Sequence, residues 1–167
     1  MIRRLTALLR DSTDTSRSMV PLGSDSEKLK DYLEIIRLRQ DGRFTYTVQV
    51  DPAVQDVLIP KLWVQPVVEN SVKYGSLRKQ TLHVDLTARM EDGFLLLTVE
   101  DNGTGFEPQR LKEVQDSLTD PKKGTRQSGL QSLARRLVLL YGKESSVTIE
   151  SEYMVHTRVT LRMRRGG

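Results

Sequence analysis

The sequence predicts an α+β fold, a two-layer α/β sandwich. Helical and strand patterns are mixed along its 167 residues. Most of the predicted strands follow one another directly, and at least one pair is joined by a tight turn as a hairpin. A chain of this length is expected to form one domain with a substantial core plus an appendage, rather than two full domains.

The first 42 residues are predicted to be mainly helical. An apolar stripe at helical spacing lies at the start and needs a partner to cover it. Residues 13–23 are rich in turn-forming residues and predict a loop. Ser24, followed by Glu27, predicts a capping box for a second helix that ends at Asp41-Gly42. The two stripes consist of Leu5, Leu8 and Leu9, and of Leu29, Tyr32, Leu33 and Ile36.

Alternating apolar and polar residues over 44–50 are typical of a half-buried strand. A turn is expected at Asp51-Pro52, where a proline follows an aspartate. The next stretch predicts a helix, which should begin near Pro60 and end at Gly75.

One face of this predicted helix carries three polar residues: Asn70, with Lys73 and Tyr74 three and four positions further on. An amide oxygen can ligate a hard cation such as Mg²⁺, and a lysine ammonium suits a phosphate. The alternative is a solvated helix face on which Glu69 and Lys73 form an ion pair. On these residues alone, the solvated face with its ion pair is the favoured interpretation.

A hairpin is predicted next, with strands over 82–88 and 94–99 and a turn at 91–93. The second strand runs directly into Asp101-Asn102-Gly103-Thr104-Gly105. A carboxylate at a strand end is held rigidly, and the two glycines allow positive φ and close backbone approach to a ligand. The alternative is an ordinary tight turn, because Asp-Asn-Gly is common turn chemistry.

Residues 107–128 are polar and charged, which predicts a mobile lid rather than a packed element, with at most a short helix around Leu111 and Val114. An amphipathic helix then begins at Ser128-Gly129 and stops at Gly142. Its first N–H groups and positive dipole end suit a phosphate. The apolar residues are Leu130, Leu133, Ala134, Leu137 and Tyr141 in this helix, and Val147, Ile149, Val159, Leu161 and Met163 in two closing strands.

Two motifs resemble those of one ATP-binding fold. Asn70, with Lys73 and Tyr74, is similar to the N box, and Asp101 to Gly105 is similar to the Asp-x-Gly-x-Gly G1 box. Both boxes belong to the Bergerat-type fold shared by gyrase, Hsp90, MutL and histidine kinases. Residues 60–70 also closely match the IP-x-L-x-LQPLVENA signature of LytS-like sensor histidine kinases. The chain therefore resembles a C-terminal catalytic fragment of such a kinase.

The resemblance implies a role for each matching residue. Asp101 would recognise the adenine amino group of ATP, Asn70 would ligate Mg²⁺ between the phosphates, and Lys73 would face the phosphates. Tyr74 would lie near the nucleotide. Glu69 would polarise water or the incoming imidazole, and an exposed ion pair is its alternative role. The other residues implied in ATP binding are Gly103, Gly105, Ser128, Gly129, Leu130 and Thr157.

Three positions depart from the wider family pattern. Pro66 stands where gyrase-type members place a catalytic glutamate, as in LytS-like kinases, so efficient ATP hydrolysis is not expected. Gln127 replaces the first glycine of the G2 box, and His156 replaces the glycine of the final Gly-Thr box. The bulk of a glutamine can obstruct backbone approach to the phosphates. The alternative function is therefore a degenerate, non-catalytic pseudokinase that signals through helix and dimer contacts.

The resemblance also implies an organisation and partners. Residues 1–42 would belong to the dimerisation and phosphoacceptor helices with a connecting helix, and residues 43–167 would form the ATP-binding catalytic domain. This protein histidine kinase would transfer the ATP γ-phosphoryl to a histidine upstream of this chain, in a homodimer, and thence to a response regulator receiver domain. His83 and His156 lack the Pro-His-Phe context of the family and are predicted to be structural.

Composition argues against several other classes. The absence of cysteine excludes disulfide and thiol chemistry and suits a cytoplasmic location. Without a long apolar run, membrane attachment is expected only through upstream segments. The net charge of +4 comes partly from the basic residues 162–165. Aromatic residues make up only 5% of the chain and do not interleave with the basic ones, so no nucleic-acid partner is expected.

Overall fold

The computed structural model describes residues 19–61, 63–75, 80–119 and 129–165. The helices in these residues are α1 (Leu22–Arg39), α2 (Gln65–Gly75), α3 (Pro108–Thr119) and α4 (Gly129–Tyr141), and a 3₁₀ turn covers Pro52–Val54. The strands are β1 (Met19–Pro21), β2 (Phe44–Val50), β3 (Leu58–Pro60), β4 (Leu82–Glu91), β5 (Phe94–Asp101), β6 (Ser146–Glu152) and β7 (His156–Arg164). None of these helices is both long and apolar enough to cross a membrane.

Five strands form one sheet in the order β2-β4-β5-β7-β6. β2 and β4 run parallel, because the chain crosses over through α2 between them. The other neighbouring pairs in this sheet are antiparallel, and the predicted hairpin of β4 and β5 turns at Asp92-Gly93. β1 and β3 form a separate two-stranded antiparallel sheet. The predicted α+β sandwich is confirmed.

The helices cover one face of the five-stranded sheet. Residues along each strand alternate between buried and more exposed positions, as a sheet with one covered face requires. Leu29 and Leu33 of α1 belong to the same hydrophobic core as Leu86 and Leu97 of the sheet. Residues 22–39 therefore pack on the sheet. A separate role for residues 1–42 in a longer protein stays a prediction.

The start of α1 differs from the predicted capping box. The helix begins at Leu22 and has Pro21 as its N-cap, and no side chain caps it. The hydroxyl of Ser24 instead donates to the carbonyl of Pro21 over 2.9 Å. The N–H groups of Leu22 and Gly23 donate to the carbonyls of residues 57 and 55. A capping side chain is unnecessary there, because tertiary partners satisfy these first donors.

α2 begins later than predicted, although its end at Gly75 is confirmed. Pro60 is the last residue of β3, where it lies opposite Met19 of β1. The prediction of a helix start near Pro60 is therefore wrong. The pairing of two short strands about forty residues apart leaves no local signal in the sequence.

The stretch predicted to be a mobile lid contains a docked helix. α3 spans twelve residues, and Leu111, Val114 and Leu118 are partly buried against the core. The amide nitrogen of Gln115 donates to the carbonyl of Ile149 in the edge strand β6 over 2.9 Å. The lid prediction is therefore wrong for residues 108–119. Residues 120–128 and residues 1–18, with the predictions made for them, lie outside the described part of the chain.

We expect Leu33→Ala to lower the free energy of unfolding by about 3 kcal/mol, because it removes a fully buried side chain of α1. The matched control is Leu38→Ala on the same helix, where the side chain is 68% exposed and the effect should stay within about 0.5 kcal/mol. Urea denaturation measures both. Equal effects of the two substitutions would show that α1 does not pack on the sheet.

Candidate functional site

Asp101 is the last residue of β5 and is only 5% exposed. Its Oδ1 atom accepts a hydrogen bond from the backbone N–H of Gly103 over 2.9 Å. The side chain of Ser71, buried in α2, also hydrogen-bonds to this carboxylate. Burial raises the pKa of Asp101 above its usual value of 3.8, while these two hydrogen bonds oppose the rise. The carboxyl group is thus fixed on the helix-covered side of the sheet.

Gly103 allows the Asp101 loop to touch the end of α2. A Cβ atom at Gly103 would lie 2.4 Å from the Cα of Gly75. That distance is too short for any residue with a side chain. The φ angle of Gly103 is not positive, so Gly103 does not use the positive φ that a glycine allows. Close approach to the protein's own backbone is what requires a glycine at this position.

Gly105 brings the same loop against the β6–β7 hairpin. Its φ is +68°, and a Cβ atom there would lie 2.3 Å from the carbonyl oxygen of Glu152. The N–H of Met154, at the hairpin tip, donates to the carbonyl of Thr104 over 2.6 Å. The loop is therefore held between α2 on one side and the hairpin on the other.

Thr157 lies directly opposite Asp101 in the β5–β7 ladder. It is 9% exposed and faces the same side of the sheet as Asp101. His156, which stands where the family has glycine, does not take a positive φ. The final box therefore accommodates its histidine without backbone strain, and Thr157 lies beside Asp101.

The α2 helix also carries the residues of the predicted cation and phosphate face. Asn70 is half-buried, whereas Glu69 and Lys73 are exposed. Glu69 accepts a hydrogen bond from the amide of Gln65 over 3.0 Å. Burial, with a contribution from the negative charge of Glu69, raises the pKa of Tyr32 in α1 to about 12. The helix that contacts Asp101 through Ser71 thus presents Asn70 immediately beside that contact.

The remaining predicted residues are only partly described. Gly129 is the exposed first residue of α4, a helix that contacts α2. Leu130 is 6% exposed and belongs to the core, so its side chain packs α4 against the rest of the domain. Ser128 and the side chain of Tyr74 lie outside the described part of the chain.

In the described ranges, no three His, Cys, Asp or Glu side chains converge on a position that could hold a metal ion. Mg²⁺ bound to a nucleotide needs few protein ligands, because phosphate oxygens and waters fill most of its octahedral positions. The half-buried amide of Asn70 fits such an ion as a single oxygen ligand.

Sequence reasoning missed Ser71 as part of this site. A serine inside a helix more commonly bonds a carbonyl of its own helix, so its residue type gives little signal. Only the packing of α2 against the end of β5 shows that Ser71 hydrogen-bonds to Asp101.

The chain resembles known proteins over most of its length. Residues 55–166 match the family described as "Histidine kinase-, DNA gyrase B-, and HSP90-like ATPase". Sensor histidine kinase YesM of Bacillus subtilis is 30% identical over 162 residues, which cover 96% of this chain and 26% of that protein. Sensor protein LytS of Staphylococcus haemolyticus is 31% identical over 153 residues, which cover 90% of this chain and 26% of that protein. The chain thus spans about a quarter of these relatives.

Solved structures have the same fold. The catalytic domain of histidine kinase ThkA superposes with a TM-score of 0.64 at 11% identity, over 88% of this chain and 94% of that domain. The histidine kinase domain of a blue-light-activated kinase from Erythrobacter litoralis gives a TM-score of 0.56 at 23% identity, over 86% and 65% of the two chains.

We expect Asp101→Asn to be at least as stable as the wild type at pH 7. The folded-state pKa of Asp101 is raised, so the stability of the wild type falls as pH rises from 3.8 through the raised pKa. The asparagine variant carries no buried charge and escapes this loss. Urea denaturation of both proteins between pH 4 and pH 7 should show that the free energy of unfolding of the variant increases relative to that of the wild type.

Asp85→Asn is the control, because the pKa of Asp85 is shifted in the opposite direction to that of Asp101. Burial alone would raise the pKa of Asp85, but hydrogen bonds from Thr47 and His83 lower it overall. Its charge therefore stabilises the fold above the usual carboxyl pKa, and Asp85→Asn should lose stability at pH 7. A wild type that is more stable than Asp101→Asn at pH 7 would contradict the account of Asp101.

Proposed function

Because this chain belongs to the histidine kinase-, DNA gyrase B- and HSP90-like ATPase family, we propose that its Asp101 site binds the adenine of MgATP for phosphoryl transfer to histidine. The observation that carries this proposal is the buried carboxylate of Asp101, fixed by Ser71 and Gly103 beside the helix that holds Asn70. The chain spans about a quarter of the length of its curated relatives, and the phosphoryl transfer of a whole kinase is part of this proposal.

Recognition of the base follows from the chemistry of the carboxylate. An ionised carboxylate only accepts hydrogen bonds, so Asp101 suits the exocyclic amino group of adenine. Guanine would present a carbonyl oxygen at the corresponding place and leave two acceptors facing each other. A buried site built for a donor rejects such an analogue strongly, because its polar group would lose its partner. Asp101 would therefore set the preference for adenine.

The phosphates would be held by the residues around the start of α4 and the exposed face of α2. Asn70 would supply an amide oxygen to Mg²⁺, and Lys73 would bring its positive charge to the phosphates. The N-terminus of α4 at Gly129 adds N–H groups and the positive end of a helix dipole. Mg²⁺ would neutralise the charge of the phosphates. The protein would contribute mainly positioning and electrostatic stabilisation.

The transfer step needs an acceptor histidine, which the family resemblance places upstream of this chain. The bond from the γ-phosphorus to the bridging oxygen would break as a bond to an imidazole nitrogen forms, with that histidine supplied upstream in a homodimer. Glu69, exposed beside Asn70, would polarise the imidazole. His83 is an unsuitable acceptor, because its ring nitrogens are bonded to Thr45 and Asp85 at 2.6 and 2.9 Å. A response regulator aspartate would then receive the phosphoryl group.

Calorimetric titration with a non-hydrolysable ATP analogue tests the site directly. The wild type should bind the analogue in the presence of Mg²⁺, and Asp101→Asn should lose at least about a hundredfold in affinity, the effect expected for a buried charged hydrogen bond. Asp85→Asn, on the opposite face of the sheet, should bind as the wild type does. Wild-type affinity in the folded Asp101→Asn variant would refute the assignment.

Asn70→Ala separates metal binding from base recognition. The variant should still bind the adenine nucleotide, but the addition of Mg²⁺ should no longer increase its affinity, because the amide ligand is gone. The measurement is the ratio of dissociation constants with and without Mg²⁺ for wild type and variant. If both proteins show the same ratio, Asn70 does not ligate the ion.

A further inference from the structure

Ser151 lies in the same row of the sheet as Asp101 and Thr157. Register pairs Asp101 with Thr157 across β5 and β7, and pairs Thr157 with Ser151 across β7 and β6. The row faces the helix-covered side, where cross-strand neighbours have Cβ atoms about 5 Å apart. A hydroxyl at position 151 is therefore one strand away from the residue that flanks the Asp101 carboxylate.

The Ser151 hydroxyl makes three hydrogen bonds. Its Oγ accepts from the backbone N–H of Phe106 over 2.8 Å and donates to the carbonyl of His156 over 2.8 Å. It also lies 3.0 Å from Oγ1 of Thr157. A serine hydroxyl has one proton and two lone pairs. Since its proton goes to His156, the proton in the contact between the two hydroxyls must come from Thr157.

This proton count determines what Thr157 offers to a ligand. Its hydroxyl proton is directed at Ser151, so the Thr157 oxygen keeps only lone pairs for other partners. Asp101 and Thr157 then form a pair of neighbouring acceptors. A pair of acceptors fits the amino group of a base, directly or through a water, and opposes a carbonyl oxygen at the same place.

We infer that Ser151 is a positioning residue for nucleotide specificity, which orients the Thr157 hydroxyl so that the site selects an amino-bearing purine. This inference rests on the proposed binding of adenine at Asp101. Ser151 also anchors the end of the Asp101 loop through the N–H of Phe106. The glycine at 105 leaves room for that contact, because a Cβ atom there would lie 3.1 Å from the Ser151 oxygen.

The test is a double-mutant cycle with Ser151→Ala and Thr157→Val, read as the ratio of affinities for AMP-PNP and GMP-PNP. Ser151→Ala should narrow the preference for AMP-PNP about tenfold, the equivalent of one well-made hydrogen bond, because Thr157 becomes free to donate. In the Thr157→Val background, Ser151→Ala should change the ratio no further. Ser146→Ala, at the other end of β6, is the matched control and should leave the ratio unchanged.

If the wild type shows Asp101-dependent binding and Ser151→Ala leaves the affinity ratio unchanged, the role of Ser151 is refuted but the proposed function is not. An equal effect of Ser151→Ala in both backgrounds would also overturn it, because Ser151 would then act only by anchoring the loop. Ser151→Cys fills the same space with a weak hydrogen-bonding group and replaces the alanine variant if that one unfolds. It should also narrow the ratio. A folded wild type that binds neither nucleotide would instead refute the proposed function.

Discussion

The Asp101 carboxylate at the end of a central strand is the group on which the site depends. Removing a charged carboxylate from water is costly unless donors face it. One donor is the N–H of Gly103 two residues on, and the other is Ser71 from α2. The loop can turn back over the carboxylate only because Gly103, which has no side chain, lies against Gly75. Satisfying one buried group therefore brings a strand, a loop and a helix together.

The other parts of the site follow from this junction. α2 is fixed at its C-terminal end, so Asn70 and Lys73 are presented at a defined distance along the helix from Ser71. The β6–β7 hairpin holds the far side of the loop through Met154 and Ser151. Burial raises the pKa of Tyr32 in α1, and the negative charge of Glu69 in α2 adds to this rise.

Patterns within a single element were predictable from the sequence. The strand leading to Asp101, the end of α2 at Gly75 and the end of α4 at Gly142 all carry local signals of alternation or a terminal glycine. Contacts between distant segments were not predictable. Ser71 and Ser151 matter through partners about thirty and forty-five residues away, and a lone serine does not reveal such a partner.

The start of α2 and the docking of α3 also depend on contacts between distant segments, which the sequence does not reveal. The late start of α2 depends on the pairing of β3 with β1, which is decided by residues far along the chain. A short helix around Leu111 and Val114 was predicted, but the docking of α3 was not. Its apolar residues are few and only half-buried, and the docking also uses Gln115 and the edge of β6. The functional roles predicted for Asn70, Lys73 and Thr157 came from a family resemblance. Their residue types alone were compatible with an ordinary solvated surface.

The most direct test of the account is a nuclear magnetic resonance titration of the folded chain with ADP, and with GDP for comparison. ADP should shift the backbone amide signals of Gly103 and Gly105, because the base would bind beside the Asp101 carboxylate that Gly103 supports. GDP at the same concentrations should leave these signals in place. The account would be contradicted if ADP shifted signals elsewhere instead, such as in the groove between Lys30 and Asp56, or if both nucleotides shifted the loop equally.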